Sequence, residues 1–221
     1  MAFEKFEGVF LVGGKLATRS FAPGTRVYGE RVVREGKDEF RFWDPYRSKL
    51  SAAMLRGLKG MPIKPGSSVL YLGAASGTTA SHVSDVVGGK GVVYCVEFAP
   101  RSMRDLLGVC EVRKNMLPIL ADARMPEDYK KYIKGKVDVL YEDVADPSQA
   151  GILLANARAF LKKGGCAMIA IKSQSIDVAQ RPEKTYEKVL AELKGAFEVL
   201  ERMDLRPFDK DHLFVLARFR G

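Results

Sequence analysis

Residues 66–80 read Gly66-Ser67-Ser68-Val69-Leu70-Tyr71-Leu72-Gly73-Ala74-Ala75-Ser76-Gly77-Thr78-Thr79-Ala80. A turn opens the stretch, the apolar run 69–72 follows, and Gly73 breaks it. Small residues then lead to Gly77, where a helical pattern starts. This is the pattern of a buried strand passing through a glycine turn into a helix N-terminus, where open α/β sheets hold nucleotide-like ligands. The loop is neither G-x-G-x-x-G nor a P-loop, the two patterns that wrap backbone N–H groups around phosphates. Its backbone can approach a ligand closely without a pyrophosphate cradle, and Thr78 is available to cap the helix with its hydroxyl.

Downstream, strands and helices alternate. The expected order is helix 78–87, strand 91–97, helix 100–110, strand 117–121, a short helical segment near 127–133, strand 136–142, helix 147–161 and strand 166–171. Residues 183–193 read as a further helix, followed by strands at 197–204 and 212–219. The connection 206–211 is too short for a crossover helix, so these two strands pair antiparallel at one edge. Repeated βα units with that final hairpin predict an α/β fold, a doubly wound, mostly parallel sheet with a reversed last strand.

Upstream the pattern is different. Val9–Val12, then Gly13-Gly14, then 15–18 reads as a hairpin, and 26–33 as another β-like run. Residues 39–43 alternate apolar with charged, and Asp44-Pro45 ends the segment. A helix over 46–58, with Leu50, Met54, Leu55 and Leu58 on one side, leads to the central strand. The expected division is a small antiparallel β-sheet domain at 1–44 and the larger domain at 45–221.

The 221 residues carry a net formal charge of +9, unevenly spread. Residues 1–65 hold 13 Lys/Arg against 7 Asp/Glu, a balance of +6, which leaves +3 for the rest. A basic front end suits a polyanion, most simply nucleic acid. A hydrophobic content of 47% is enough for a full core. Cys95, Cys110 and Cys166 show no metal spacing and read as reduced thiols, with Cys95 and Cys166 buried in strands; no metal site is expected. No apolar run approaches a membrane span and no signal-peptide pattern follows Met1, so a soluble, intracellular protein is expected, with no membrane partner.

The strand ends carry the chemistry. Glu97 ends the second strand of the large sheet, 20 residues after Gly77, where an acid can accept ribose hydroxyl hydrogens, and Phe98 beside it can pack on a base. Asp122 ends the third strand, where it can accept from an adenine amino group, with Ala123 lining the pocket. S-adenosylmethionine, which has an adenosine and an amino-acid carboxylate but no phosphate, fits this rim; NAD stays open.

Asp143 occupies the next rim position, and Lys172 emerges from the apolar residues Ile169, Ala170 and Ile171 at the end of the following strand. Lys49, on the helix before the sheet, is a candidate second ammonium, and His212 starts the last strand. Methyl transfer from a sulfonium to a ribose hydroxyl is an in-line displacement by a weakly acidic oxygen. An ordinary lysine, with a pKa of about 10.4, is protonated at neutral pH. Desolvation and a second ammonium lower such a value, while a carboxylate between them opposes the shift and fixes the geometry. One lysine then accepts the proton or stabilises the developing alkoxide.

Several of these segments together resemble fibrillarin, the family of S-adenosylmethionine-dependent RNA 2′-O-methyltransferases of box C/D ribonucleoproteins. They are 69–79, Val96-Glu97-Phe98-Ala99-Pro100-Arg101, Asp143-Val144-Ala145, Ile171-Lys172-Ser173 and Asp209-Lys210-Asp211-His212, with Phe42-Trp43-Asp44-Pro45 and Arg47-Ser48-Lys49-Leu50 upstream. The resemblance covers nearly the whole chain. It implies a seven-stranded sheet of the class I methyltransferase type and a catalytic set of Lys49, Asp143, Lys172 and His212. It also places S-adenosylmethionine against Gly73, Ala74, Gly77, Thr78, Thr79, Glu97, Phe98, Asp122, Ala123, Asp143, Val144, Ala145 and Asp146. Asp146 is a departure, because an uncharged glutamine is expected there. The Gly/Arg-rich extension of eukaryotic members is not seen, so the resemblance is to the archaeal form, which modifies rRNA and tRNA. The implied partners are a box C/D guide RNA with its target, a Nop-domain scaffold protein and a kink-turn RNA-binding protein, and a cytoplasmic location follows. A cofactor-holding subunit without turnover, or an NAD-dependent oxidoreductase, are the alternative functions.

Overall fold

The structure is a computed structural model that describes residues 2–221. Its first part is a five-stranded antiparallel sheet of β1 (Ala2–Phe6), β2 (Val9–Val12), β3 (Lys15–Arg19), β4 (Val32–Glu35) and β5 (Asp38–Phe42), in the spatial order β1-β2-β3-β5-β4. The β2–β3 hairpin turns through Gly13 and Gly14, both at positive φ as a two-residue turn requires. Two expectations change here. Strand β1 was not anticipated, because its sequence alternates weakly and most of it is exposed. Of the run 26–33 only Val32 and Val33 lie in a strand, because Glu30 folds back to accept the Val27 and Tyr28 N–H groups.

The chain then forms α1 (Lys49–Leu55) and β6 (Ser68–Leu72), followed by α2 (Thr78–Val87), β7 (Val92–Glu97), α3 (Pro100–Val112), β8 (Met116–Leu120), α4 (Pro126–Tyr129) and β9 (Val137–Glu142). Next come α5 (Gln149–Phe160), β10 (Leu161–Lys172), the short α6 (Ser173–Ile176), α7 (Pro182–Leu193), β11 (Phe197–Asp204) and β12 (His212–Phe219). The seven strands order as β11-β12-β10-β9-β6-β7-β8. All run parallel except β12, which lies antiparallel between β10 and β11. Helix α1 is shorter than the expected 46–58. Its apolar side is Leu50 and Met54, with Leu58 just beyond its end, while Leu55 is 43% exposed.

Because side chains alternate along a strand, the run 69–72 feeds both faces. Val69 and Tyr71 join the core under α1, α2 and α3, whereas Leu70 and Leu72 join the core under α5 and α7. The central strands are therefore apolar throughout, as expected of a sheet covered on both faces. No helix among the described residues is long and apolar enough to cross a membrane.

The small sheet is joined to α2 by buried charge. Arg41 Nη1 donates to Asp85 Oδ2 at 2.7 Å and Arg41 Nε to Glu30 Oε1 at 2.6 Å, while Arg113 pairs with the other Asp85 oxygen. Thr18 Oγ1 also donates to Asp85 at 2.7 Å, so it must accept from His82 Nδ1, also 2.7 Å away. That fixes the tautomer, and Tyr28 Oη then donates to His82 Nε2 at 2.8 Å. The imidazole stacks on Trp43 at 4.7 Å between ring centroids. Burial, with Arg41 and Arg113 nearby, holds His82 well below its ordinary value, so it is neutral.

Two predictions follow from this cluster. Asp85→Ala leaves two buried guanidinium groups without their shared carboxylate and is expected to cost about 3–5 kcal/mol in urea unfolding. A loss within the scatter of surface substitutions would show that the cluster does not join the two sheets. For His82, only the unfolded chain binds a proton as the pH falls below the ordinary value of 6.5. Stability is therefore full above about pH 6.5 and declines below it, read as a lower urea midpoint at pH 5.5 than at pH 7.5.

Candidate active site

Because β6, β7, β8, β9 and β10 are parallel, their carboxyl ends form one rim. A cleft of about 430 Å³ lies along it, lined by Gly73 and Ala75 after β6, Glu97 and Phe98 after β7, Asp122 to Arg124 after β8, and Asp143 to Asp146 after β9, with Lys172 at the end of β10.

The glycine loop is held against β9. Gly73 has φ +79, and a Cβ there would lie 2.9 Å from the Asp143 carbonyl oxygen, closer than a Cβ carbon approaches such an atom. Ala75 also lies at positive φ, +48, rare for a residue with a Cβ. Its N–H donates to Glu97 Oε2 at 2.9 Å, and the Ala99 N–H donates to Oε1 at 2.8 Å. Glu97 thus locks the loop from a 7% exposed position. Each of its oxygens keeps a second lone pair, so ribose hydroxyls can still donate to it.

The structure corrects the expected cap. Gly77, in the left-handed region at φ 90, is the N-cap of α2, and no side chain caps that helix. Thr78 is the first helical residue and so lies past the position where a hydroxyl caps. Thr79 Oγ1 donates instead to Ser48 Oγ at 3.0 Å. Ser48 is the N-cap of α1, so this bond ties α2 to the helix that begins with Lys49.

The four candidate catalytic residues converge. Lys172 Nζ lies 2.8 Å from Asp143 Oδ1 and donates to the Asp143 carbonyl oxygen at 2.7 Å. Lys49 Nζ lies 3.1 Å from Asp143 Oδ1 and donates to Oδ2 at 3.4 Å. Asp143 therefore stands between two ammonium groups, each largely shielded from solvent. His212 pairs directly with none of the other three. Its Nδ1 lies 2.9 Å from Asp209 Oδ1, and Asp209 Oδ2 lies 3.7 Å from Lys49 Nζ. Burial alone would raise the Asp209 carboxyl, but the His212 imidazole and the Lys49 ammonium outweigh it and hold it below its usual value.

Strand alternation separates Asp143 from the adjacent Glu142, which is fully buried with both oxygens unpartnered among the described residues. Burial raises its carboxyl well above the usual range, favouring the neutral form. On the far rim, Asp122 holds Arg124 through both oxygens, at 2.9 and 3.0 Å from Nε, and Phe98 is 72% exposed. Asp146 accepts from the Ser148 N–H at 2.7 Å and lies 4.0 Å from Arg124. The two threonines and Ala74 stand beside the cleft and do not line it.

Two site residues were not picked out from the sequence. Asp209 lies three residues before His212, but nothing in the spacing distinguishes it from a solvated turn acid. Gln149 gave no signal at all, because a glutamine in a first helical turn is ordinary. It is fully buried. The β9–β10 ladder ends at the Ile169–Glu142 pair, and Gln149 continues it. Its Nε2 donates to Val144 O and Ala170 O, each at 3.0 Å, and its Oε1 accepts from the Lys172 N–H at 2.9 Å. One amide thus joins the strand ends that carry Asp143 and Lys172.

Comparison with known proteins identifies the family. A sequence model described as Fibrillarin matches residues 1–221. The "Fibrillarin-like rRNA/tRNA 2'-O-methyltransferase" of Pyrococcus furiosus is 54% identical over 219 residues, covering 97% of this chain and 96% of that one. The crystal structure of Aeropyrum pernix fibrillarin with natively bound S-adenosyl-L-methionine superposes with a TM-score of 0.90 at 48% identity, covering 98% of this chain and 97% of that one. The fibrillarin of a fibrillarin/Nop5p complex has a TM-score of 0.90 at 39% identity, covering 99% and 100%. With a family match along the full chain and a relative more than half identical, the chain belongs to the fibrillarin family.

Proposed function

We propose that this protein transfers the methyl group of S-adenosylmethionine to ribose 2′-hydroxyls of rRNA and tRNA, as the catalytic subunit of a box C/D guide ribonucleoprotein. The observation that carries the reading is the Lys49–Asp143–Lys172 cluster at the end of a cleft whose charge suits a cationic ligand. Glu97, Asp122, Asp143 and Asp146 line that cleft against Arg124 and Lys172, a formal excess of two negative charges. An adenosyl sulfonium fits this balance, whereas the diphosphate of NAD would sit among four carboxylates.

Bound here, the cofactor supplies an electrophilic methyl group. Gly73, Ala74, Gly77, Thr78 and Thr79 form the loop beside it, Glu97 accepts from its ribose, and Phe98, Asp122, Ala123 and the segment from Asp143 through Val144 and Ala145 to Asp146 complete the pocket. Asp143 holds the two ammonium groups at fixed separation. In that setting Lys172 removes the proton from the ribose hydroxyl or stabilises its oxygen as charge develops, and Lys49 supplies the second positive charge. Asp209 and His212 orient Lys49 from the outer side. Gln149 positions Lys172 relative to Asp143.

The pairing that selects each target nucleotide belongs to the guide RNA. A Nop-domain protein is the partner that holds the enzyme beside the guide, in line with the Nop5p complex of a relative, and a kink-turn RNA-binding protein completes the particle. The unit at 1–44 then serves the macromolecular side of the reaction and 45–221 the cofactor side. Acting on rRNA and tRNA, the particle works in the cytoplasm.

In a reconstituted particle with a matched guide and target, Asp143→Ala and Lys172→Ala are each expected to lower radiolabelled methyl transfer about 100- to 10,000-fold. Full activity in both would sink the assignment, and a wild-type particle that assembles but never methylates would favour a structural subunit. S-adenosylmethionine at 100 times its dissociation constant is expected to stabilise the free protein by about 2.7 kcal/mol. Stabilisation by NAD alone would reverse the choice of cofactor. Gln149→Met, which keeps the volume but removes three hydrogen bonds, is expected to lower kcat about tenfold while leaving the cofactor-induced thermal shift in place. Wild-type kcat in that variant would remove Gln149 from the site.

A further inference from the structure

The rim of the cofactor cleft carries an arginine that the chemistry above does not use. Arg124 follows β8, and its contacts with Asp122 fill that carboxylate. Asp122 Oδ1 accepts the Arg124 backbone N–H at 2.9 Å and Nε at 3.0 Å, while Oδ2 accepts Nε at 2.9 Å and Nη2 at 2.6 Å. A carboxylate oxygen offers two lone pairs, so both oxygens are fully engaged. The adenine amino group expected at Asp122 cannot donate there until the guanidinium withdraws.

Withdrawal costs little and has a destination. The Arg124 side chain is 60% exposed, and ion pairs open to water are weak. Its Nη1, the nitrogen that Asp122 does not hold, lies 4.0 Å from Asp146 Oδ2. Asp146 is itself fixed, because its Oδ1 accepts the Ser148 N–H at 2.7 Å just before α5. Strands β6 and β7 lie between β8 and β9 in the sheet. A bond from Arg124 to Asp146 therefore joins the two sides of the cleft, past the loops that carry Gly73 and Glu97. A second Asp-x-Arg turn shows what is particular here. Asp204 and Arg206 close on each other through the same set of bonds. Arg206, however, lines no part of the cleft and pairs with no second carboxylate among the described residues.

We infer that Arg124 is a latch on the cofactor cleft, which gives up Asp122 to the adenine amino group and closes on Asp146, so that the bound cofactor is released more slowly. The inference rests on the S-adenosylmethionine reading above. The exchange conserves charge, since one carboxylate partner replaces another, and it needs only rotation of the Arg124 side chain. Asp122 keeps the Arg124 backbone N–H throughout. An arginine that merely neutralised the rim would be served by Asp122 alone. The fixed oxygen of Asp146, facing Nη1 from the other side, is what supplies a second position.

The test follows capture and release of tritiated S-adenosylmethionine by the full chain, with release read by isotope chase. Arg124→Ala and Asp146→Asn are each expected to speed release about three- to fivefold, and the double variant no more than either alone. Arg206→Ala is expected to release at the wild-type rate. Added salt is expected to speed release from the wild type more than from Arg124→Ala. These side chains are open to solvent and lie outside both cores, so folding is not at stake. Faster capture with unchanged release in Arg124→Ala would make the arginine an obstruction and overturn the latch. Effects of the two single variants that add in the double one would mean that Asp146 acts without Arg124, and would overturn it too. So would wild-type capture and release in both single variants. In all three cases the cofactor reading stands; if the wild type binds no S-adenosylmethionine, that reading falls and the latch with it.

Discussion

The backbone of Gly73 passes the Asp143 carbonyl so closely that no side chain fits between them. This contact fixes the glycine loop against the strand that leads into Asp143. Nearby, the Asp143 N–H donates to Leu72 O at 3.0 Å, so β6 and β9 are joined up to the last residue before each turns outward. Everything else at the rim is set from that pair. Glu97 holds the strained Ala75 from one side, Gln149 ties β10 to β9 on the other, and Thr79 reaches back to the cap of α1. The glycine loop and the Asp143 cluster are thus held together by one backbone contact, reinforced by the side chains of Glu97, Gln149 and Thr79.

The small sheet is attached by a different kind of force. Its contact with α2 is built on Arg41, Glu30, Asp85 and Arg113, ions whose burial is unfavourable unless every one is paired. Such an interface demands correct register more than it adds stability. It aligns Trp43 and Tyr28 around a neutral His82, and thereby sets the path along which 44–48 enters α1. The basic balance of residues 1–65 is therefore of two kinds. Arg41 is internal and structural, whereas Lys15, Arg31 and Arg47 are exposed.

The βα alternation was legible because its signals are local and strong. The helical pattern after Gly77 and the two strand patterns joined by the short 206–211 connection placed α2, β11 and β12 at the residues where they are found, and the strand-end positions of Glu97, Asp122, Asp143 and Lys172 placed them on one rim. What escaped was set by tertiary contact. Strand β1 is held by pairing with β2 rather than by its own pattern. Residues 26–31 have β-type side chains but are turned by Glu30. Leu55, the last residue of α1, lies off the side that Leu50 and Met54 bury and is exposed. Thr78 lost its capping role to Gly77, whose left-handed φ only glycine adopts easily. Asp209 reaches Lys49 at the other end of the chain, and Gln149 reaches Ala170 and Lys172 in the next strand, and a sequence taken alone holds no record of such contacts.

The position of β12 has a consequence for how the chain comes into being. It follows every other strand of the sheet along the chain, yet it sits inside the sheet, between β10 and β11. Its first residue, His212, stands opposite Lys172 in the ladder. A nascent chain that has released β11 but not β12 carries two unpaired strand edges facing a gap, the kind of surface that recruits foreign strands. Closing that gap seats His212 and finishes the hydrophobic core in the same event. The Asp209–His212 side of the cluster is therefore completed only when the sheet is whole.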